Sequence, residues 1–201
     1  YPGGRLIASL EIAPALVQTQ RLLNEDVPVL FQPVAWSPEN YLARADILIR
    51  ENPSWRMVEV KDATSVKPEH VIDAAFQLAA HEAAGLIIEQ VSLLHLNKEY
   101  RRLGECDVDE LFLEADITEK VRGLQEEITE QMKSAWERLC DPSPPTTCQC
   151  NRQPRSGHCP TFTLFHPDVP DSGSIYDLQR ISPKKTEEAF LRGIVHLKDW
   201  P

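Results

Sequence analysis

Three residues whose chemistry is that of acid and metal sites fall close together on apolar sequence: Asp46 in ARADILIR, and Glu59 and Lys61 in SWRMVEVK. Side chains two apart on a strand share a face, so Glu59 and Lys61 stand side by side if that segment is extended. Two carboxylates brought together repel unless a cation lies between them, and a hard divalent ion such as Mg²⁺ or Mn²⁺ takes oxygen ligands of this kind. A lysine beside the ion would orient or help deprotonate an attacking water and stabilise a phosphorane-like transition state. The chemistry on offer is phosphodiester hydrolysis.

That chemistry needs elements to hold it. On the first segment Ala45, Ile47 and Ile49 make one apolar face, and Arg44, Asp46 and Arg50 lie on the other with Leu48. The polar turn around Asn52, Pro53 and Ser54 fits a hairpin between the two strands, which lets Asp46 meet Glu59. Upstream, residues 14–24 predict a helix with proline in its first turn, and residues 27–36 a strand that Pro33 interrupts. Downstream, residues 68–84 predict a largely buried helix with one polar stripe of Asp73, Gln77 and His81 at four-residue intervals. Gly85 ends that helix, and residues 86–97 read as an interior strand.

Asp46, the Glu59-Val60-Lys61 triplet and the following helix with Gln77 resemble the PD-(D/E)XK nuclease superfamily, in its RecB/Cas4-like branch. The phrases VKPEHVIDAAFQ, LLHLNKEY and IYDLQRIS, with the C-terminal GIVHLKDWP, are similar to the RecB-like DUF2779 family. The resemblance implies an α/β, restriction-endonuclease-like mixed sheet flanked by helices. It implies Asp46 and Glu59 as ligands of Mg²⁺ or Mn²⁺, helped by the Val60 carbonyl, with Lys61 at the water and Gln77 orienting substrate or Lys61. Gln77 matches the glutamine of the Q-x-x-x-Y motif, with His81 in place of the tyrosine; His81 and Lys67 are then expected at the substrate. Many members add a ligand from an earlier element; Glu11 is a candidate, and Gln32 stands where an acid is expected.

The composition, 42% hydrophobic and 26% charged over 201 residues, describes an ordinary globular chain with one sizeable core and a small appendage. A net charge of −10 excludes a generally basic nucleic-acid surface. Grip on long DNA then calls for local cations, further domains of the same protein or a partner. No apolar run suits a membrane span and no signal peptide is visible, so the expected compartment is the cytoplasm. Beginning at Tyr1, the chain reads as a piece of a longer protein.

Four of the five cysteines, Cys140, Cys148, Cys150 and Cys159, fall on a Pro-rich stretch. Four thiolates suit tetrahedral Zn²⁺ or a 4Fe–4S cluster. Cas4-like relatives carry such a cluster, usually with one cysteine ahead of the core, whereas none here precedes Cys106. Asp116 and Glu119 have capping-box spacing and open a long amphipathic helix to Leu139. The domain expectation is therefore a nuclease-like core over 1–114, a long helix and cysteine loop over 115–170, and a helical hairpin tail over 171–201. The functional expectation is a DNA-cleaving, metal-dependent deoxyribonuclease of repair, recombination or defence. The alternative is a catalytically weak or inactive nucleic-acid-binding or scaffolding domain of a larger protein.

Overall fold

Pro33 has no amide hydrogen to give to a ladder, and Gln32 before it takes a left-handed backbone with φ 57°. Together they split the strand expected over 27–36 in two. The computed structural model of the chain describes residues 1–143, 149–178 and 180–201. The chain divides into two units, Tyr1–Cys140 and Asp141–Pro201.

In the first unit the order is β1 (Arg5–Leu6), α1 (Ile12–Asn24), β2 (Val29–Phe31), β3 (Val34–Trp36), β4 (Leu42–Arg44), β5 (Ile47–Glu51) and β6 (Ser54–Lys61). It continues with α2 (Pro68–Ala83), β7 (Ile88–Leu96), α3 (Val108–Leu111), β8 (Phe112–Asp116), α4 (Thr118–Arg122) and α5 (Gln125–Cys140). Six strands form a mixed sheet in the order β1-β2-β5-β6-β7-β8, and β3 and β4 form a separate ribbon. The expected hairpin is present, β5 and β6 pairing antiparallel from Ile47↔Val58 to Glu51↔Ser54. The next pair, β6 and β7, is parallel, which requires a crossover, and α2 supplies it.

Register decides which residues meet the helices. Leu30, Leu48, Met57 and Leu93 share one face of the sheet and join the main core with Ala74, Ala75 and Leu78 of α2. Val29, Ile47 and Val58 lie on the other face in a smaller cluster with Phe31, Ile49 and Leu94. Both faces of β5 are therefore apolar: Leu48, placed by its sequence among the charged residues, is fully buried. Along α2 the alanines at 74, 75 and 80 let the backbone approach the strands closely. The helix ends in a Schellman arrangement, with Gly85 N donating to Glu82 O and Leu86 N to His81 O. Gly85 has φ +94°, a conformation that other residues adopt only with strain.

Arg50 ties α1 to the sheet. Its guanidinium donates to the carbonyls of Leu23, Glu25 and Val27 at 2.8, 2.9 and 3.2 Å and lies 4.2 Å from the Trp55 ring centroid. Arg50→Ala strands three acceptors at the end of α1 and removes a cation–π contact. It is expected to lower the unfolding free energy by about 2–3 kcal/mol, read by urea titration. Arg50→Lys, with one compact charge and no planar fork, should recover only part of it.

Several expectations are corrected here. Residues 112–116, where no strand is expected, form edge strand β8, paired with β7 from Ser92↔Asp116 to Leu96↔Phe112. The long helix is broken at Gly123, a weak helix former, and so Val121 of α4 and Ile128 and Met132 of α5 all reach the main core. Asp116 is not the N-cap of the first piece: that position is Ile117, without a side-chain cap bond, and Asp116, one residue earlier, accepts from Thr118 N at 2.9 Å through its Oδ1. Since α4 and α5 pack on α2, they belong to the first unit rather than to a separate segment beginning at 115. Among the described residues no helix is long and apolar enough to cross a membrane.

The second unit has its own small core of Phe162, Val169, Ile175, Tyr176 and Ala189, with Cys150, Cys159 and Trp200 packed against it. It contains α6 (Phe162–Phe165) and α7 (Pro183–Leu191). Ser182 caps α7, with Pro183 in its first turn. The expected helical hairpin is absent among the described residues. The chain after α7 turns at Gly193, φ +73°, and returns through a Ser174↔His196 bridge, so that only a short 3₁₀ turn, Leu197–Asp199, follows.

Candidate active site

The strand breaks build the site. Where β2 gives way to β3 and β4 to β5, Gln32 N donates to Asp46 O at 2.9 Å and Ala45 N to Pro33 O at 3.1 Å. Asp46 therefore sits at a corner, just ahead of β5. Its Oδ1 accepts from Gln32 Nε2 at 2.8 Å and its Oδ2 from Val60 N at 2.8 Å. A residue's N–H and C=O leave a strand in the same direction, so the Val60 carbonyl leaves β6 on the Asp46 side. Extending the Ile47↔Val58 register by one step sets Asp46 opposite Glu59.

Glu59 and Lys61 lie on the sheet face that α2 covers. Lys61 Nζ donates to Glu59 Oε1 at 2.9 Å and to Asp73 Oδ2 of α2. Glu59 is only 4% exposed, and its Oε2 is buried with no hydrogen-bond partner. Burial pushes its carboxyl up to about 7; the Lys61 hydrogen bond opposes that rise, and the Asp46 charge adds to it. Burial pulls Lys61 down, but its hydrogen bonds to Asp73 and Glu59 outweigh this, and its ammonium is held above the usual lysine range. Lys61 is thus a donor and a fixed positive charge at neutral pH, not a base.

Asp46, Glu59, Val60 and Lys61 come together as their sequence predicts. Gln77 lies at the margin: its Nε2 donates to Arg44 O at 3.3 Å, while its Oε1 is buried without a partner. On α2 the hydrogen-bond partner of Lys61 is Asp73, one turn earlier, and not Gln77. The polar stripe contained that signal, since Asp73 begins it. His81, expected at the substrate, is 1% exposed and is corrected to a core residue. Its Nδ1 meets the Gln77 carbonyl at 2.8 Å; a carbonyl only accepts, so Nδ1 carries the proton, and burial lowers the imidazole's pKa. Lys67 is exposed at the N-cap of α2. Glu11 is the exposed N-cap of α1.

Whether these residues suit a divalent ion is decided by the donors. Two carboxylates and a carbonyl are hard oxygen ligands, and Mg²⁺ is commonly held by one or two carboxylates with water completing its shell. The orphaned Glu59 Oε2 is an acceptor without a donor, which such an ion would satisfy. Among the described residues no group of three or more His, Cys, Asp or Glu is placed to hold a metal, so any ion here would rely on that carbonyl and on water. Of the four cysteines, Cys148 lies outside the described residues. Cys140 is exposed at the end of α5, and Cys150 and Cys159 are half-buried in the second unit.

No family model matches the chain, and no curated protein is similar to it. Among solved structures the chain is similar to the crystal structure of SSO0001, at 13% identity over 71% of this chain and 87% of that one, with a TM-score of 0.28. A likeness at that level carries no argument about activity.

Proposed function

We propose that the first unit is a metal-dependent nuclease hydrolysing DNA phosphodiester bonds, with a restriction-endonuclease-like sheet. The carrying observation is the buried, unpartnered Oε2 of Glu59 beside the Asp46 charge, with Lys61 Nζ 2.9 Å from the same carboxylate. The order of strands supports the reading too: an antiparallel hairpin carries Asp46 and the Glu59-Val60-Lys61 triplet, and a helix crosses to a parallel strand.

Asp46, Glu59 and the Val60 carbonyl would hold Mg²⁺ or Mn²⁺, which when bound polarises a phosphate and acidifies a water. Gln32 and the Val60 amide fix Asp46 from two directions, so its geometry exists before any ligand arrives. Lys61 keeps its proton and offers hydrogen bonds to the negative charge that builds on phosphate oxygens as the bond breaks. Lys67, exposed at the start of α2, and Gln77 remain the proposed contacts to DNA. For Cys140, Cys148, Cys150 and Cys159 the proposed cofactor is Zn²⁺ or a 4Fe–4S cluster, on the chemistry of four thiolates alone; metal analysis of the isolated protein tests it.

The first test is cleavage of labelled single- and double-stranded DNA with Mn²⁺, where metal-dependent cutting is expected. Calorimetric titration with Mn²⁺ should show binding that Asp46→Ala and Glu59→Ala each weaken at least about tenfold. One observation favours a second reading, a non-catalytic nucleic-acid-binding or scaffolding domain: both Asp46 oxygens already accept hydrogen bonds from the protein. Absence of Mn²⁺ binding and of cutting would overturn the nuclease reading in favour of that alternative.

A further inference from the structure

We propose that Asp73 is the positioning residue of this site, fixing the Lys61 ammonium from α2 so that it stays aimed into the site when Glu59 turns to another partner. A lysine head sits on a flexible stem and spends rotamer entropy to hold one place. Lys61 is held from two elements: by Glu59, its neighbour on β6, and by Asp73 across the gap on α2. The first hold is temporary, since any ligand that takes up the orphaned Glu59 carboxylate weakens it. The second is independent of Glu59 and is anchored, because Ala74, Ala75 and Leu78 set α2 against the sheet with no exposed surface.

The neighbours make no such bond: Gln77 Nε2 donates to the Arg44 carbonyl, its Oε1 is buried without a partner, and His81 is in the core. Asp73 acts through Lys61, whose ammonium donates to its Oδ2. Its side chain is 43% exposed, so substitution should leave the fold intact.

The effect on rate rests on the nuclease reading; the effect on Lys61 does not, and the experiment reads both. Misplacing a reacting group by about 1 Å costs on the order of 10²-fold in rate. Asp73→Ala and Asp73→Asn should therefore lower kcat for DNA cleavage by about that factor, with KM for DNA and Mn²⁺ affinity unchanged, and Asp73→Glu should restore part of it. In parallel, the Lys61 ammonium resonance in ¹H–¹⁵N spectra, assigned by its loss in Lys61→Met, should survive in Glu59→Gln and disappear through fast exchange in Asp73→Ala. Persistence of that resonance in Asp73→Ala overturns the proposal, as does a loss of Mn²⁺ affinity matching that of Asp46→Ala, which would make Asp73 a ligand. A wild type that never cuts DNA, with a resonance that still depends on Asp73, overturns the nuclease reading and leaves the positioning role standing.

Discussion

Lys61→Met is expected to reduce Mn²⁺-dependent DNA cleavage by at least about 10²-fold while leaving Mn²⁺ bound as tightly as in the wild type, or more tightly. Loss of one preorganised donor to developing charge costs on the order of 10²–10³ in kcat, and Lys61 is the cation that the structure fixes beside the two acids. Methionine keeps most of the stem volume but offers neither charge nor proton. The two halves of the prediction have opposite signs because a positive charge beside a cation site disfavours the metal and favours the phosphate. Cleavage and Mn²⁺ calorimetry on the same preparation separate them. A variant that cuts as fast as the wild type removes Lys61 from the mechanism, and one that loses metal along with cutting means that Lys61 is a structural support of Glu59.

The part of this site legible in the sequence is the part set by period-two alternation. Glu59 and Lys61 had to share a face, and a polar turn at 52–53 had to bring Asp46 back towards them; both hold because strand geometry leaves no other choice. Gln32 was legible only as a departure from an expected acid. Its left-handed backbone and its bond to Asp46 depend on two chain breaks coinciding in space, which no local pattern encodes. His81 shows the reverse case. Its place on the polar stripe of α2 suggested a surface, yet the corner formed at Pro33 covers that end of the helix. The strand over 112–116 was not legible, because an edge strand with one paired side, here with Glu114 between Leu113 and Ala115, has little hydrophobic signal of its own. The break at Gly123 was hidden by the apolar period, which continues across the one weak helix former.

Asp73 and Glu59 divide the work on Lys61. A buried carboxylate near its own neutral point is a weak electrostatic anchor, whereas a partly exposed one on a rigid helix keeps its grip whatever Glu59 does. An acidic chain of net charge −10 gains from this arrangement. With little long-range attraction for DNA, the positive charge it does deploy at the site must be fixed rather than mobile.

The same burial makes Glu59 a measurable pH-dependent cost. With its carboxyl raised from an ordinary 4.5 to about 7, the folded protein keeps a proton that the unfolded chain releases. Stability therefore falls as pH rises from about 4.5 to about 7 and levels off above it; the contribution is complete below the unfolded value and lost through the folded one. The displacement corresponds to about 3 kcal/mol. Urea unfolding in EDTA at pH 5 and pH 8 should show the wild type losing about that much more than Glu59→Gln, whose side chain cannot ionise. Mn²⁺ at about 100 times its dissociation constant should return about 2.7 kcal/mol to the wild type at pH 8 and far less to the variant, because the ion needs the carboxylate that alkaline pH uncovers. Equal pH slopes for the two proteins would mean that Glu59 reaches water in the folded state, and the buried acceptor on which the metal site is argued would not exist.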